Sequence, residues 1–141
     1  MADEYFDVVA AVIRDGEKIL ITLRKESSYM AGRWEFPGGK VEKGEKPQQA
    51  LIREIKEELC VGIKITGLLY VKQHVYELSD DRKRRIKLMF YGAQISRGEI
   101  KCVGCSEYRW VLPKELAGFD FVDGDKELVR MLGDPESNTP V

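Results

Sequence analysis

From Phe6 the chain runs apolar to Ile13, breaks at Arg14-Asp15-Gly16-Glu17, and runs apolar again from Ile19 to Leu23. Two such runs around a short Asp-Gly turn predict a β-hairpin. Lys25 to Gly44 shows no period and carries Gly32, Pro37, Gly38, Gly39 and Gly44. It reads as a long loop, and long loops inside compact domains tend to carry function. Pro47 to Leu59 has helical spacing, with Leu51, Ile52, Ile55 and Leu59 expected on one face and Pro47 at the favoured first position. Lys46 is a poor N-cap, so the helix start is weakly signalled.

Further along, Ile63–Leu78 and Ile86–Ile95 are extended, partly alternating segments joined at SDDRKRR, and Tyr108–Leu112 is a shorter strand. PKEL, from Pro113 to Leu116, is read as a helical turn and Asp123–Leu132 as a final helix. Residues 134–141 read as a disordered tail. Strands, an inserted helix, more strands and a terminal helix predict an α/β (α+β) fold. The expected form is one domain over residues 1–133, a mixed sheet sandwiched between helices.

Composition narrows the function classes. Twenty-three Lys and Arg against 24 Asp and Glu give a net charge of -1, so no long-range attraction draws the chain to nucleic acid or an anionic membrane. No stable nucleic-acid partner is expected, and any phosphate site is local. The three cysteines, Cys60, Cys102 and Cys105, are an odd number and no signal peptide precedes them. This argues against a disulfide framework and for a cytoplasmic protein. No apolar run reaches the ~18 residues that a membrane span needs.

The helix carries the chemistry. Glu54, Glu57 and Glu58 stand at i, i+3 and i+4, so their side chains share a face where like charges repel. Hard oxygen ligands clustered in this way suit Mg²⁺ or Mn²⁺, and such a metal binds substrate phosphates as well. It would cancel the repulsion and activate a water for attack on phosphorus. Gly38-Gly39 lets the backbone approach phosphate or metal, and Lys40 stands where a cation meets a triphosphate. GKVEKGEK lacks the Gly-Lys-Ser/Thr ending of a P-loop. Taken alone, QQALIREIKEEL reads first as an ordinary amphipathic helix with a solvated Glu/Lys face.

Loop and helix together, WEFPGGKVEKGEKPQQALIREIKEELCV, resemble the Nudix box: Gly39, Glu45, Arg53-Glu54-Ile55, Glu57-Glu58 and Val61 at fixed spacing. The resemblance implies a Nudix hydrolase, which cleaves a nucleoside diphosphate linked to another group. It further implies Glu54, Glu57, Glu58 and the Gly38 carbonyl as metal ligands, with Glu54 also polarising the attacking water. Arg53 and Glu45 would orient the carboxylates, and Gly39 would support the turn.

LRKESSYMAGRWEFPGGK and FDFVDGDKEL resemble the MutT-type branch, which cuts nucleoside triphosphates to the monophosphate and pyrophosphate. Aligned on EFPGGK, Arg24, Tyr29 and Phe36 fall on positions that hold the nucleotide, with Glu35, Pro37 and Lys40 grouped with them. Phe36 is the candidate to stack on a base and Arg24 to pair with phosphate or a base carbonyl. Asp123 aligns with a base-reading position, or else caps the last helix. An ionised Asp only accepts hydrogen bonds, which leaves an oxidised guanine and a cytosine open. The expected partner is thus a nucleoside triphosphate, an 8-oxo-dGTP-like or cytidine-type compound, acted on by a monomer or homodimer. Other readings are ADP-ribose or a dinucleoside polyphosphate as substrate, or a non-catalytic nucleotide-binding module.

The chain departs from the family pattern at two places. Cys60 stands where the box has the glycine that ends the helix, with Gly62 as a candidate to take over the turn. Gly104 stands where many relatives carry a carboxylate six residues before a Trp such as Trp110. Glu107 is close in sequence, but a three-residue shift along a strand changes its face. Cys102-Val-Gly-Cys105 has the spacing of half a zinc site, though thiols are the expected reading. His74 is expected on a strand surface, and Arg82–Arg85 as a solvated hairpin tip.

Overall fold

The computed structural model describes residues 3–26, 30–78 and 80–134. Tyr29 and residues 135–141 of the expected tail lie outside the described residues.

The sheet is built around β1 (Glu4–Asp15). Successive side chains of a strand point to opposite faces. Val9, Ala11 and Ile13 enter one core, while Ala10 and Val12 enter the core on the other side. Burial on both faces is why this segment reads as a continuous apolar run rather than an alternation. The predicted hairpin forms with β2 (Lys18–Leu23), Arg14 facing Ile19 and Asp15 facing Lys18 across a turn where Gly16 has φ +59°.

Beyond the hairpin end β2 leaves β1. It pairs with β3 (Trp34–Glu35) and with β7 (Glu107–Val111), both antiparallel. The edge that β2 vacates is taken by β4 (Gly38–Lys40), which lies against Val8–Ala10. On its other edge β1 pairs in parallel with β6 (Lys83–Arg97), from Glu4 facing Arg84 to Ile13 facing Ala93. The antiparallel β5 (Gly62–Glu77) completes this side, with register shifts between Gly62 and Ile63, Ile65 and Gly67, and Leu68 and Tyr70. The expected mixed sheet is present.

Helices cover both faces. α1 (Pro47–Leu59) spans the predicted residues and buries Ala50, Leu51, Ile55 and Leu59 against Val9, Leu20 and Met89. Residue 52 lies about 100° around a 3.6-residue helix from residue 51. Ile52 is accordingly 45% exposed, contrary to its expected place on the buried face. Lys46 donates its backbone N–H to Gln49 Oε1 at 3.1 Å, so the start of α1 is capped by Gln49 rather than by Lys46's own side chain. On the other face lie a 3₁₀ segment (Pro113–Gly118) and α2 (Lys126–Gly133), with Leu116, Leu128, Val129 and Leu132 in the core. The final helix is shorter than expected, because Asp123–Asp125 forms a 3₁₀ turn before it.

Three local expectations are corrected. Cys102 and Cys105 are joined as a disulfide, neither free thiols nor half a zinc site. Cys60 itself takes the left-handed position that ends α1, at φ +63° and ψ +24°, and Gly62 does not take over the turn. The arginines of the hairpin tip are not simply solvated. Asp3 and Glu4 neutralise them, through Glu4 to Arg84 at 3.0 Å, Glu4 to Arg82 at 3.5 Å and Asp3 to Arg85 at 3.3 Å. His74 lies on the surface of β5, its ring 4.5 Å from that of Tyr76.

Candidate active site

Arg53 is the hub of the box. Its Nε and Nη2 donate to both oxygens of Glu45, at 2.7 and 2.9 Å. Nη1 donates to Glu54 at 2.8 Å and to Glu57 at 3.3 Å, and Nη2 also reaches the Lys40 carbonyl at 3.1 Å. A planar guanidinium suits this forked pairing. It holds Glu45 down to about 2 by hydrogen bonding to its carboxylate. Arg53 therefore offsets the repulsion between Glu54 and Glu57 on α1 and ties both to Glu45.

The glycines set the approach of the loop. A Cβ on Gly38 would overlap the Val9 carbonyl, and one on Gly39 would overlap the carboxyl of Glu54. Only bare backbone lets β4 lie between β1 and the carboxylate face of α1. Glu58, half-buried, faces inward, and burial pushes its carboxyl up to about 9, reinforced by the nearby charges of Glu35 and Glu54. Burial also raises Glu54 against the pull of Arg53. Glu35 pairs with Arg24 at 2.9 Å, and desolvation still raises it.

The donors fit a hard divalent cation in kind, as carboxylate oxygens on one helix face beside half-buried glycine backbone. As placed, they converge on Arg53 and not on a common point. Among the described residues no group of three or more His, Cys, Asp or Glu side chains is gathered to hold a metal. Glu57, half-solvated and held only through Arg53, is the freest of the three to turn toward an ion.

Next to this face a cavity of about 190 Å³ opens between β1, β3, β4 and the 123–125 turn. Arg24, Glu35, Phe36, Tyr76, Arg84 and Asp125 line it, with Gly38, Gly39 and Lys40 at the side toward α1. Asp125 is 4% exposed and accepts the Phe36 backbone N–H at 3.0 Å. Burial pushes its carboxyl up to about 8. The Tyr76 hydroxyl accepts the Gly124 N–H at 2.9 Å, which ties this turn to β5. A wider furrow of about 760 Å³ runs past Tyr5, Glu45, Gln73, Val75 and Lys87, and Glu54, Glu57 and Glu58 line neither the furrow nor the smaller cavity.

Several expected site residues stand differently. Phe36 is 2% exposed, its ring packed near Phe90 and Phe121, so it closes the cavity wall and is not a free stacking platform. Pro37 is buried, its carbonyl accepting the Ala11 N–H at 2.8 Å, and it does not line the cavity. Lys40 Nζ sits 3.8 Å over the Phe6 ring at the cavity side. Asp123 faces outward, accepting from Arg33 at 3.1 Å and Lys126 at 3.0 Å, and makes no helix-capping bond. Glu107 pairs with Arg109 at 2.7 Å. Asp125 and Tyr76 were not singled out from sequence, and Arg84 was read only within the Arg82–Arg85 hairpin tip. For Asp125 the available signal was a second Asp two residues after Asp123.

A mixed sheet covered by helices, with a loop and first helix that gather carboxylates around one arginine, is the arrangement expected of a Nudix-type hydrolase. The NUDIX domain model matches residues 4–132, and the chain belongs to the NUDIX family. The chain is 37% identical over 124 residues to the CTP pyrophosphohydrolase of Escherichia coli K12, covering 88% of each chain. It is 30% identical over 129 residues to the 8-oxo-dGTP diphosphatase of Buchnera aphidicola, covering 92% of this chain and 94% of that one. The solution structure of the E. coli ORF135 protein superimposes with a TM-score of 0.71 at 28% identity, over 91% of this chain and 88% of that one.

Proposed function

We propose that this Nudix hydrolase cleaves a nucleoside triphosphate to the monophosphate and pyrophosphate with Mg²⁺, the base entering the cavity that ends at Asp125. The carrying observation is that one cavity is lined both by the buried Asp125 carboxyl and by Gly38 and Gly39, and Gly39 in turn lies directly against the Glu54 carboxyl of α1. Glu54, Glu57, Glu58 and the Gly38 carbonyl would hold the metal. Bound Mg²⁺ supplies charge neutralisation on the phosphates and lowers the pKa of a coordinated water. Arg53 and Glu45 keep the carboxylates on one face, Glu54 polarises the attacking water, and Lys40, Arg24 and Arg84 supply cations along the phosphate path.

Base selection falls to Asp125 in place of Asp123. A carboxyl held neutral near pH 7 both donates and accepts, unlike an ionised one. Cytosine presents an amino donor beside a ring acceptor, and 8-oxoguanine presents N7–H beside O6. Unmodified guanine presents two acceptors on that edge and leaves one side unmatched. The relatives named for CTP and 8-oxo-dGTP agree with one pocket serving both patterns.

The test is a panel of triphosphates with Mg²⁺, scored for pyrophosphate. Release is expected from 8-oxo-dGTP or cytidine-type triphosphates ahead of dGTP. Folded protein that releases none from any triphosphate overturns the proposal. Glu57→Gln is expected to lose at least about tenfold in kcat, or ~1.4 kcal/mol of barrier, while staying folded. Unchanged turnover would remove Glu57 from the metal site.

A further inference from the structure

The loop that lacks the family carboxylate is zipped to the end of α1. Val103 and Gly104 both donate their backbone N–H groups to the Glu58 carbonyl, at 2.9 and 3.1 Å. Lys101 N–H reaches the Leu59 carbonyl at 3.0 Å, and Ser106 N–H reaches the Leu23 carbonyl at 2.9 Å. The bonds to Glu58 and Leu59 satisfy carbonyls that the last turn of α1 leaves without partners, and the Ser106 bond ties the loop to β2. Gly104 lies so close to Glu58 that a Cβ there would stand 2.8 Å from its Cγ. A carboxylate side chain at this position would displace Glu58. The loop holds Glu58 from behind instead.

What fixes the loop is the bond between Cys102 and Cys105, which brackets the two donating residues. Cys105 is 6% exposed and anchored in the α1 core, whereas Cys102 is half-buried and Val103 between them is 55% exposed. Both cysteines pack against the α1 core, Cys105 buried and Cys102 only in part. In reducing compartments, disulfides are mostly transient and redox-responsive.

We propose that Cys102 and Cys105 form a reversible clamp that positions Glu58, so that the redox state of the pair sets the working rate of the site. The role in rate rests on the reading of Glu58 as a metal ligand. Opening consumes a dithiol reductant. Its thiolate attacks Cys102 Sγ, Cys105 leaves as a thiolate and takes a proton from water, and the reductant's second thiolate then releases Cys102. Two electrons pass to the cysteine pair, and the reductant ends as a disulfide. The two peptide N–H groups then lose their enforced geometry over the Glu58 carbonyl.

The test compares oxidised protein with protein reduced by dithiothreitol and then freed of reductant under nitrogen. A thiol titration should count Cys60 alone before reduction and all three cysteines after it. Amide exchange, measured without metal or substrate, should quicken at least about tenfold at Val103 and Gly104 and stay unchanged in β1 and β6. With Mg²⁺ and the triphosphate turned over best, kcat should fall about tenfold with KM within about twofold, and reoxidation should restore it. A Cys102→Ser, Cys105→Ser protein should match the reduced form and ignore dithiothreitol. Equal exchange at Val103 and Gly104 in the two states, or equal kcat in an active enzyme, overturns the clamp. If no triphosphate is turned over, the proposed function fails, while the exchange experiment still decides whether the clamp exists.

Discussion

Cys60 stands at φ +63° and ends α1 in a conformation that costs a non-glycine residue about 1–2 kcal/mol. Glycine would remove that cost but would add about 0.4–1 kcal/mol of unfolded-chain entropy. The first effect is larger, so Cys60→Gly is expected to stabilise the protein by about 0.5–1 kcal/mol. Chemical denaturation measures it, and a loss of stability would show that the Cys60 side chain contributes contacts outweighing its strain. Asp125 makes a pH-dependent contribution. Its folded pKa, about 8, lies above the ordinary carboxylate value. Its stabilising contribution is therefore complete below about pH 4 and declines as pH rises through 8. Asp125→Asn keeps an acceptor for the Phe36 N–H and should flatten this decline in unfolding free energy between pH 5 and 9. An unchanged pH profile would mean that Asp125 is ionised in the fold. At this scale the carboxylates of α1 were legible because helical spacing fixes which residues share a face. Asp125 was not, because whether Asp123 or Asp125 turns inward depends on a 3₁₀ turn that the helical reading of 123–132 passed over.

Among the elements, α1 and the first hairpin were readable from local signals alone: Pro47, the four-residue recurrence of Leu51, Ile55 and Leu59, and the Asp-Gly turn. The strands β3 and β4 inside the long loop are two and three residues long and were hidden. They exist only because β1 and β2 offer them edges, and no periodicity fits into so few residues. The 123–125 turn likewise depends on a distant strand through Tyr76. Tyr76→Phe removes the acceptor for the Gly124 N–H and leaves the ring. Base discrimination, read as the ratio of kcat/KM between the best substrate and dGTP, should fall severalfold, mainly through KM. A ratio within error of the original would mean that Phe36 alone positions Asp125.

The whole molecule closes two apolar cores, one on each face of the sheet, and neither includes a proposed metal ligand. Chelation is therefore expected to abolish turnover while leaving the fold intact, with a melting temperature within about 2 °C of the untreated protein. Added Mn²⁺ or Mg²⁺ should raise that temperature with concentration, as mass action requires of any ligand that binds only the folded state. Unfolding on chelation would make the metal structural. The mixed sheet and its flanking helices were legible from the order of elements, whereas the pairing of the acidic N-terminus with Arg82–Arg85 was not. Separated by most of the chain, those charges look solvated until the parallel register of β1 and β6 brings them together.

That register has a consequence for how the protein is made. β1 leaves the ribosome roughly eighty residues before its parallel partner. At about 5–20 residues per second the wait is on the order of seconds. Through that interval β1 can pair with β2 and β4 and pack against α1, but the edge that takes β6 stays open. The nascent chain is thus most exposed to aggregation before β6 appears, and slowing translation between β2 and β6 should lower the soluble yield more than slowing it afterwards.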